Sequence, residues 1–440
     1  MAHSAEALLE AATKTASWLS SQQHETDHGV IWSIARETPE RRLRTLYYGS
    51  AGIALFLLEL WQATGDERYR DLARRAGDDI VNWIGTKETL PIATHGGWAG
   101  YFFALNELSR LTGEPAFLET ATLCAQKLRD QATTCGSGIG WITEMPYARL
   151  TGHSGTRELY DVAEGAAGIG IYYLYAHENG IHPEALNWVR DIAERLLEVA
   201  EEATGGLRWQ LMDDIPWPFD APNFAHGTAG VAYFLARAFE ATADRRLLDA
   251  AIAGARHVQA MAEGVGDDAW LVPHVLNDGR DNRYYLGFCH GPAGTSRLYY
   301  LLSRITGNAD WRDWSAGLDR GLVAIGAPET RGRGFWNNIS QCCCDAGIGD
   351  YATSMYRETS DGFYLDLADR VADELLRRSE ENEFGLCWPQ AEHRTQPDFL
   401  QAQAGYMQGA AGVASFLTHL ATVKAGRPVK IRLPESPFIA

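Results

Sequence analysis

The sequence predicts an all-α fold: a closed, double-layered ring of seven helical hairpins, with a few short strands and loops at its mouth. Two observations carry this. A small or polar dipeptide, then G-x-x-G, then about fifteen mostly apolar residues recurs seven times along the 440-residue chain. Between the copies lies a second helical pattern, with apolar residues at i, i+3, i+4 and i+7 and charges opposite. Helices apolar nearly all round thus alternate with helices apolar on one side, as an inner and an outer layer require. One hairpin cannot bury its faces alone; stacking the hairpins and closing the ring removes the exposed ends.

The copies run in order. "YYGSAGIALFLLELWQATGD" carries Gly49 and Gly52, "HGGWAGYFFALNELSRLTGE" Gly97 and Gly100, and "AEGAAGIGIYYLYAHENG" Gly165 and Gly168. "AHGTAGVAYFLARAFEATAD" carries Gly227 and Gly230, and "CHGPAGTSRLYYLLSRITGN" Gly291 and Gly294. In "CCCDAGIGDYATSMYRETSD" Cys344 replaces the first glycine and Gly347 is the second; "MQGAAGVASFLTHLATV" closes the series with Gly409 and Gly412. Outer helices are read in "ERYRDLARRAGDDIVNWI", "PAFLETATLCAQKLRDQA", "PEALNWVRDIAERLLEVA", "RRLLDAAIAGARHVQAMA" and "GFYLDLADRVADELLRRS". Glycine is expected at the turns because it accepts positive φ and lets backbones approach closely.

Residues just before each turn fall on one rim, near the ring axis. Directly before the first glycine stand Tyr48, Gly96, Glu164, His226, His290, Cys343 and Gln408; one place earlier stand Tyr47, His95, Ala163, Ala225, Cys289, Cys342 and Met407. Glu, His and Cys cluster in the third to sixth copies, marking that part of the rim as the reactive one. Trp209–Asn223, Asp267–Tyr285 and Glu383–Gln403 break the helical pattern and are rich in Trp, Pro and Asp. They read as short strands and loops over the mouth, where a substrate would lie. The C-terminal "AGRPVKIRLPESPFIA" reads as extended.

Bulk properties limit the function. Apolar content of 46% and charged content of 22% are ordinary globular values, and the repeats make residues 1–440 one domain. A formal net charge of −18 argues against non-specific nucleic-acid binding, which needs a basic face. The first residues lack the basic and apolar regions of a signal peptide, and no stretch approaches the ~20 apolar residues of a membrane span. The expected location is cytoplasmic. Seven cysteines, three of them consecutive, favour metal binding or catalysis over a disulfide framework in a reducing compartment.

Together with "YDVAEGAAG" (Tyr160–Gly168), "NFAHGTAG" (Asn223–Gly230), "GFCHGPAG" (Gly287–Gly294) and "CCCDAGIG", the seven hairpins make the chain resemble the lanthionine synthetase C family, the LanC-like cyclases, over essentially its whole length. The resemblance implies an α/α toroid (barrel) and one catalytic zinc. It also implies an activity: joining peptide cysteines to dehydrated Ser or Thr, forming the lanthionine or methyllanthionine thioethers of lanthipeptides. Cys289 matches the family's first zinc cysteine, although Phe288 and His290 depart from the usual W-C-Y-G. Cys342 and Cys343 fall on the family's Cys-His pair, so a cysteine stands where the histidine ligand is usual, as in a three-cysteine subset. His226 matches the A-H-G histidine, and Asp161 the aspartate of Y-D-x-x-E-G. The implied partners are a dehydrated precursor peptide and a separate dehydratase or kinase/lyase enzyme.

The chemistry suits these residues. Zinc takes thiolates, and a catalytic zinc keeps one position open beyond three protein ligands. Cys289, Cys342 and Cys343 would be the ligands, and a substrate thiol would take the open position and ionise. Three thiolates put more negative charge on the metal than two cysteines and a histidine would. Addition to the β-carbon of dehydroalanine or dehydrobutyrine leaves an enolate that needs a proton, a task for His226 near neutral pH. Asp161 would orient His226 or cap a helix. His290 stays open between a partner behind a ligand, a general acid and an alternative ligand. Arg280 and Arg283 would steady the enolate oxygen or sit solvated in their loop. Cys344 in the glycine slot reads as structural, Cys124 and Cys135 as inert, and Cys387 has no assigned part. Other readings are addition of glutathione or another free thiol to dehydrated peptides, a non-catalytic toroidal peptide scaffold, and a toroidal glycoside hydrolase, which needs two facing carboxylates.

Overall fold

The computed structural model describes residues 3–144, 154–214, 221–274, 284–332 and 334–439. Helix α1 (Ala5–Ser20) precedes six consecutive hairpins. These are α2 (Ser50–Thr64) with α3 (Glu67–Ile84), α4 (Trp98–Thr112) with α5 (Pro115–Asp130), and α6 (Ala166–Glu178) with α7 (Ala185–Glu198). Then come α8 (Thr228–Thr242) with α9 (Arg245–Ala260), α10 (Pro292–Thr306) with α11 (Ala309–Ala324), and α12 (Asp345–Thr359) with α13 (Gly362–Arg377). The last helix, α14 (Ala410–Lys424), finds its outer partner at the other end of the sequence: it packs along α1, and it also touches α2 and α12. The even-numbered helices form the inner ring and the odd-numbered ones the outer, so the fold is the double-layered α/α toroid expected.

Burial follows the pattern read from sequence. The first eleven residues of α2, α4 and α6 are all buried, whereas α3 buries only six, Ala73, Ala76, Gly77, Asp79, Ile80 and Ile84. Five hairpins turn at the far end of the ring through one left-handed residue and one N-cap: Gly65-Asp66, Gly113-Glu114, Ala243-Asp244, Gly307-Asn308 and Ser360-Asp361. The cap side chain of Asp66, Asp244, Asn308 and Asp361 accepts the backbone N–H two residues on. Exposed Ala243 (φ 58°) and Ser360 (φ 55°) sit where their neighbours use glycine. Ala243→Gly and Ser360→Gly should each stabilise the protein by about 1 kcal/mol, seen as a raised thermal midpoint.

Of the two reasons expected for the rim glycines, close approach holds and positive φ mostly does not. Gly49, Gly97, Gly165, Gly227 and Gly291 have extended backbone, and among the first glycines only Gly409 (φ 146°) is left-handed. Close approach is what excludes a side chain. The loop carbonyl six residues back lies against each second glycine. A Cβ would sit 1.8 Å from the Val162 oxygen at Gly168, 2.0 Å from that of Phe224 at Gly230, and 1.8 Å from that of Tyr406 at Gly412.

Among the described residues, seven two-stranded antiparallel sheets lie at the mouth end. Four hairpins end in a tryptophan three residues after a glycine: Trp32, Trp141, Trp209 and Trp388. Each indole N–H donates to a carbonyl in the last turn of the preceding outer helix, Leu19, Leu128, Leu196 and Leu375 respectively, at 2.6–3.0 Å. This G-x-x-W element anchors the mouth loops to the outer layer. Of the three irregular segments read from sequence, 215–220 and 275–283 lie outside the described residues.

Candidate metal centre and acid–base pair

The rim is closed by hydrogen bonds between equivalent positions of successive repeats. Tyr47 N–H donates to the His95 carbonyl, Thr94 N–H to Ala163, Ala163 N–H to Ala225 and Ala225 N–H to Cys289. Cys289 N–H continues to Cys342, Cys342 N–H to Met407, and Met407 N–H returns to Tyr47 (2.8–3.1 Å throughout). The circle holds neighbouring repeats in register, so side chains at matching offsets must meet.

The cysteines meet on this circle. Sγ atoms of Cys289, Cys342 and Cys343 all lie within 4.8 Å of one another, and Cys289 and Cys343 are 3.9 Å apart. Tetrahedral sulfurs at a zinc–sulfur distance of about 2.3 Å would stand about 3.8 Å apart, so donor type and spacing both fit zinc. Electrostatics agree. Hydrogen bonds from Cys289 and Cys343 hold the Cys342 thiol well below its ordinary range, against burial, with Tyr47 adding a third. The thiols of Cys289 and Cys343 are pushed up in return, chiefly by hydrogen bonding with Cys342 and with Cys289 respectively.

His226 Nδ1 lies 2.6 Å from Asp161 Oδ2, and Asp161 is fully buried. The other Asp161 oxygen accepts the backbone N–H of Glu164 at 3.0 Å. Asp161 therefore braces the turn before α6 and contacts the imidazole, but it does not cap the helix: the N-cap is Gly165, with no side-chain cap bond. Burial opposes charge on His226, yet the Asp161 hydrogen bond and the charges of Asp161, Glu164 and Cys342 raise its pKa above 6.5 overall.

His290 is half-buried between the rings of His226 (5.1 Å between centroids) and His274 (4.1 Å), with Tyr285 at 5.5 Å. Its Nδ1 has no hydrogen-bond partner among the described residues. Burial, then the neighbouring charges of His274, His226 and Arg394, push its pKa well below 6.5. The thiol cluster comprises the three cysteines without it. Arg280 and Arg283 lie outside the described residues. Cys344 is the N-cap of α12 and wholly buried. Cys124 lies inside α5, Cys135 ends the strand Thr133–Cys135, and Cys387 ends the strand Gly385–Cys387; all are free thiols.

Several neighbours were given no part in the thiol chemistry by the sequence. Burial, reinforced by the charge of Asp161, pushes Glu164 up to about 7. Glu435, in the C-terminal segment and fully buried, reaches His95 Nε2 at 2.9 Å; burial opposes charge on His95, but Glu435 raises its pKa overall. Arg394 lies over the Tyr285 ring at 4.9 Å. His274, Arg394 and Glu435 lie outside any repeat, so no register pointed to them. Glu164 and His95 do stand at rim positions, which was a usable signal.

The lanthionine synthetase C-like protein model matches residues 40–427. The chain belongs to the lanthionine synthetase C-like family. No curated protein matches it. Among solved structures, nisin cyclase superposes with a TM-score of 0.59 at 17% identity, over 85% of this chain and 87% of its own. Cellobiose 2-epimerase from Bacillus thermoamylovorans B4167 gives 0.52 at 11% identity, over 95% and 100%. A GH76 α-mannanase of Bacteroides thetaiotaomicron gives 0.51 at 12%, over 96% and 97%. The toroid is thus shared with sugar-active enzymes. The rim of this LanC-like chain carries a cluster of three thiols, and Asp161, the nearest carboxylate to Glu164 in sequence, is engaged with His226. No described helix is long and apolar enough to cross a membrane.

Proposed function

We propose that this LanC-like protein is a zinc-dependent lanthipeptide cyclase, which adds cysteine thiols of a dehydrated precursor peptide to dehydroalanine or dehydrobutyrine residues of the same peptide. The observation that carries the reading is the three-thiol cluster at the rim, with the Asp161–His226 pair from neighbouring repeats on the same backbone circle. Cys289, Cys342 and Cys343 would hold zinc, which when bound supplies the Lewis acidity that lets a thiol ionise near neutral pH.

The remaining work falls to side chains. In the addition, a sulfur lone pair forms the S–C bond at the β-carbon, the C=C π pair moves toward the carbonyl as an enolate, and the α-carbon takes a proton. His226 is the donor in this reading: Asp161 engages Nδ1, holds the ring in place and favours its protonated form, and Nε2 delivers the proton. His290, its pKa held below the ordinary histidine value, lies beside the His226 ring. A dehydratase or kinase/lyase enzyme would have to prepare the substrate.

Incubation with a dehydrated, cysteine-containing peptide tests the reading. Ring closure leaves the peptide mass unchanged and removes one alkylatable thiol per ring, so mass spectrometry after thiol alkylation should show fewer adducts. Adducts in full number would overturn cyclisation. A mass gain equal to an added glutathione would assign the protein instead to intermolecular thiol addition.

A further inference from the structure

Gln408 stands on the rim in the seventh repeat, directly before Gly409, and is 2% exposed. Its Nε2 lies 3.5 Å from Cys343 Sγ and 3.5 Å from the Tyr47 hydroxyl. Which end of the amide faces the sulfur is decided by its neighbours. The backbone N–H of Ile339 donates to Gln390 Oε1 (3.0 Å), and that of Ser340 to Asn338 Oδ1 (2.9 Å). A backbone N–H can only donate, so the NH2 ends of Gln390 and Asn338 must point the other way. Both meet Gln408 Oε1, at 3.4 and 3.3 Å. With its oxygen taken by two donors, Gln408 can present only N–H to Cys343. Ser340 Oγ also accepts the Cys343 backbone N–H at 3.0 Å, so the same network places the cysteine itself.

We propose that Gln408 is a positioning residue for Cys343, and that its fixed N–H donor matches the centre to a thiolate, rather than an imidazole, at this position. The inference rests on the reading that Cys289, Cys342 and Cys343 hold a metal. A hydrogen bond to a sulfur favours its anionic form and draws charge from it. In a centre with three protein thiolates, that relieves the crowding of negative charge. An imidazole ligand has the opposite need, because its second ring nitrogen carries a proton and wants an acceptor. Gln408 cannot offer one while Gln390 and Asn338 hold its oxygen. Cysteine at 343 and glutamine at 408 are therefore two halves of one arrangement, contributed by adjacent repeats.

The test uses the full-length protein with Co(II) as probe and zinc affinity measured by competition against a chelator. Wild type should bind one Co(II) per chain and show a sulfur-to-cobalt charge-transfer band. Gln408→Leu should bind zinc about 10-fold or more weakly and move the band to longer wavelength, because the unrelieved sulfur gives up charge more easily. Gln408→Glu should bind most weakly of the single variants at this position. Cys343→His should bind zinc poorly on its own and regain affinity in Cys343→His/Gln408→Glu, where the carboxylate accepts the imidazole proton. If Gln408→Leu does not fold, Gln408→Met, of similar length and without an N–H, serves the same comparison. An unchanged band and affinity in these variants, or equal affinity of Cys343→His with and without Gln408→Glu, overturns the proposal while leaving the metal centre standing. Absence of Co(II) binding by wild type overturns both.

Discussion

Replacing Cys289 by alanine is expected to reduce bound zinc from about one ion per chain to near zero, and with it thioether formation to background. Cys289 bridges two repeats: its carbonyl takes the Ala225 N–H, its own N–H goes to Cys342, and its sulfur faces Cys343. Two thiols alone leave a zinc ion short of protein ligands, and even small losses in a ligand set are costly in affinity. Metal analysis of the purified variant reads the result directly. Cys344→Gly is the matched control, since that residue fills a slot where five of the other six repeats have glycine with extended backbone. It should keep its zinc. Full metal content in Cys289→Ala would remove the basis for the centre.

His226→Asn should lower the cyclisation rate by about 10²- to 10⁴-fold with zinc content unchanged, the range expected for loss of a positioned proton donor. The pH profile sharpens this. A donor must hold its proton, so activity due to His226 is present below its pKa and lost as pH rises through it. Since that pKa is raised above 6.5, the loss falls on the alkaline side of its ordinary value. Asp161→Asn removes the hydrogen bond and the charge that raise it, so the alkaline limb should move to lower pH. Glu164, at about 7, titrates in the same window. Glu164→Gln separates the two: an alkaline limb that disappears in that variant, with His226 intact, would move the donor role away from His226.

The fold was legible because each second glycine answers a physical demand repeated seven times, the carbonyl lying against it from six residues back. Any larger residue would push the rim apart, so the motif survives where the helices around it vary. The closing pair was harder to read. Helix α1 has no G-x-x-G before it, so nothing in its own sequence marks it as the outer partner of α14. The G-x-x-W hairpins carried no sequence signal of their role, because that role is a bond back to an outer helix. Cys289, Cys342, Cys343, His226 and Asp161 could be singled out together because all stand at or just before the turns. The partners of Gln408 could not: Asn338, Gln390 and Ser340 sit at no common offset and meet only through the folded chain.

The pairing of α14 with α1 also sets an order of events. A ribosome delivers α1 first and α14 after almost all the rest, so α1 waits with its apolar face uncovered while six hairpins form. The rim circle has one link across that seam, from Met407 N–H to the Tyr47 carbonyl, and Cys342 hangs its own N–H on Met407. Contacts so distant in sequence are slow to form. Through Met407, Cys342 is thus joined by two successive backbone bonds to the seam itself, and the thiol cluster is tied to the closure of the ring.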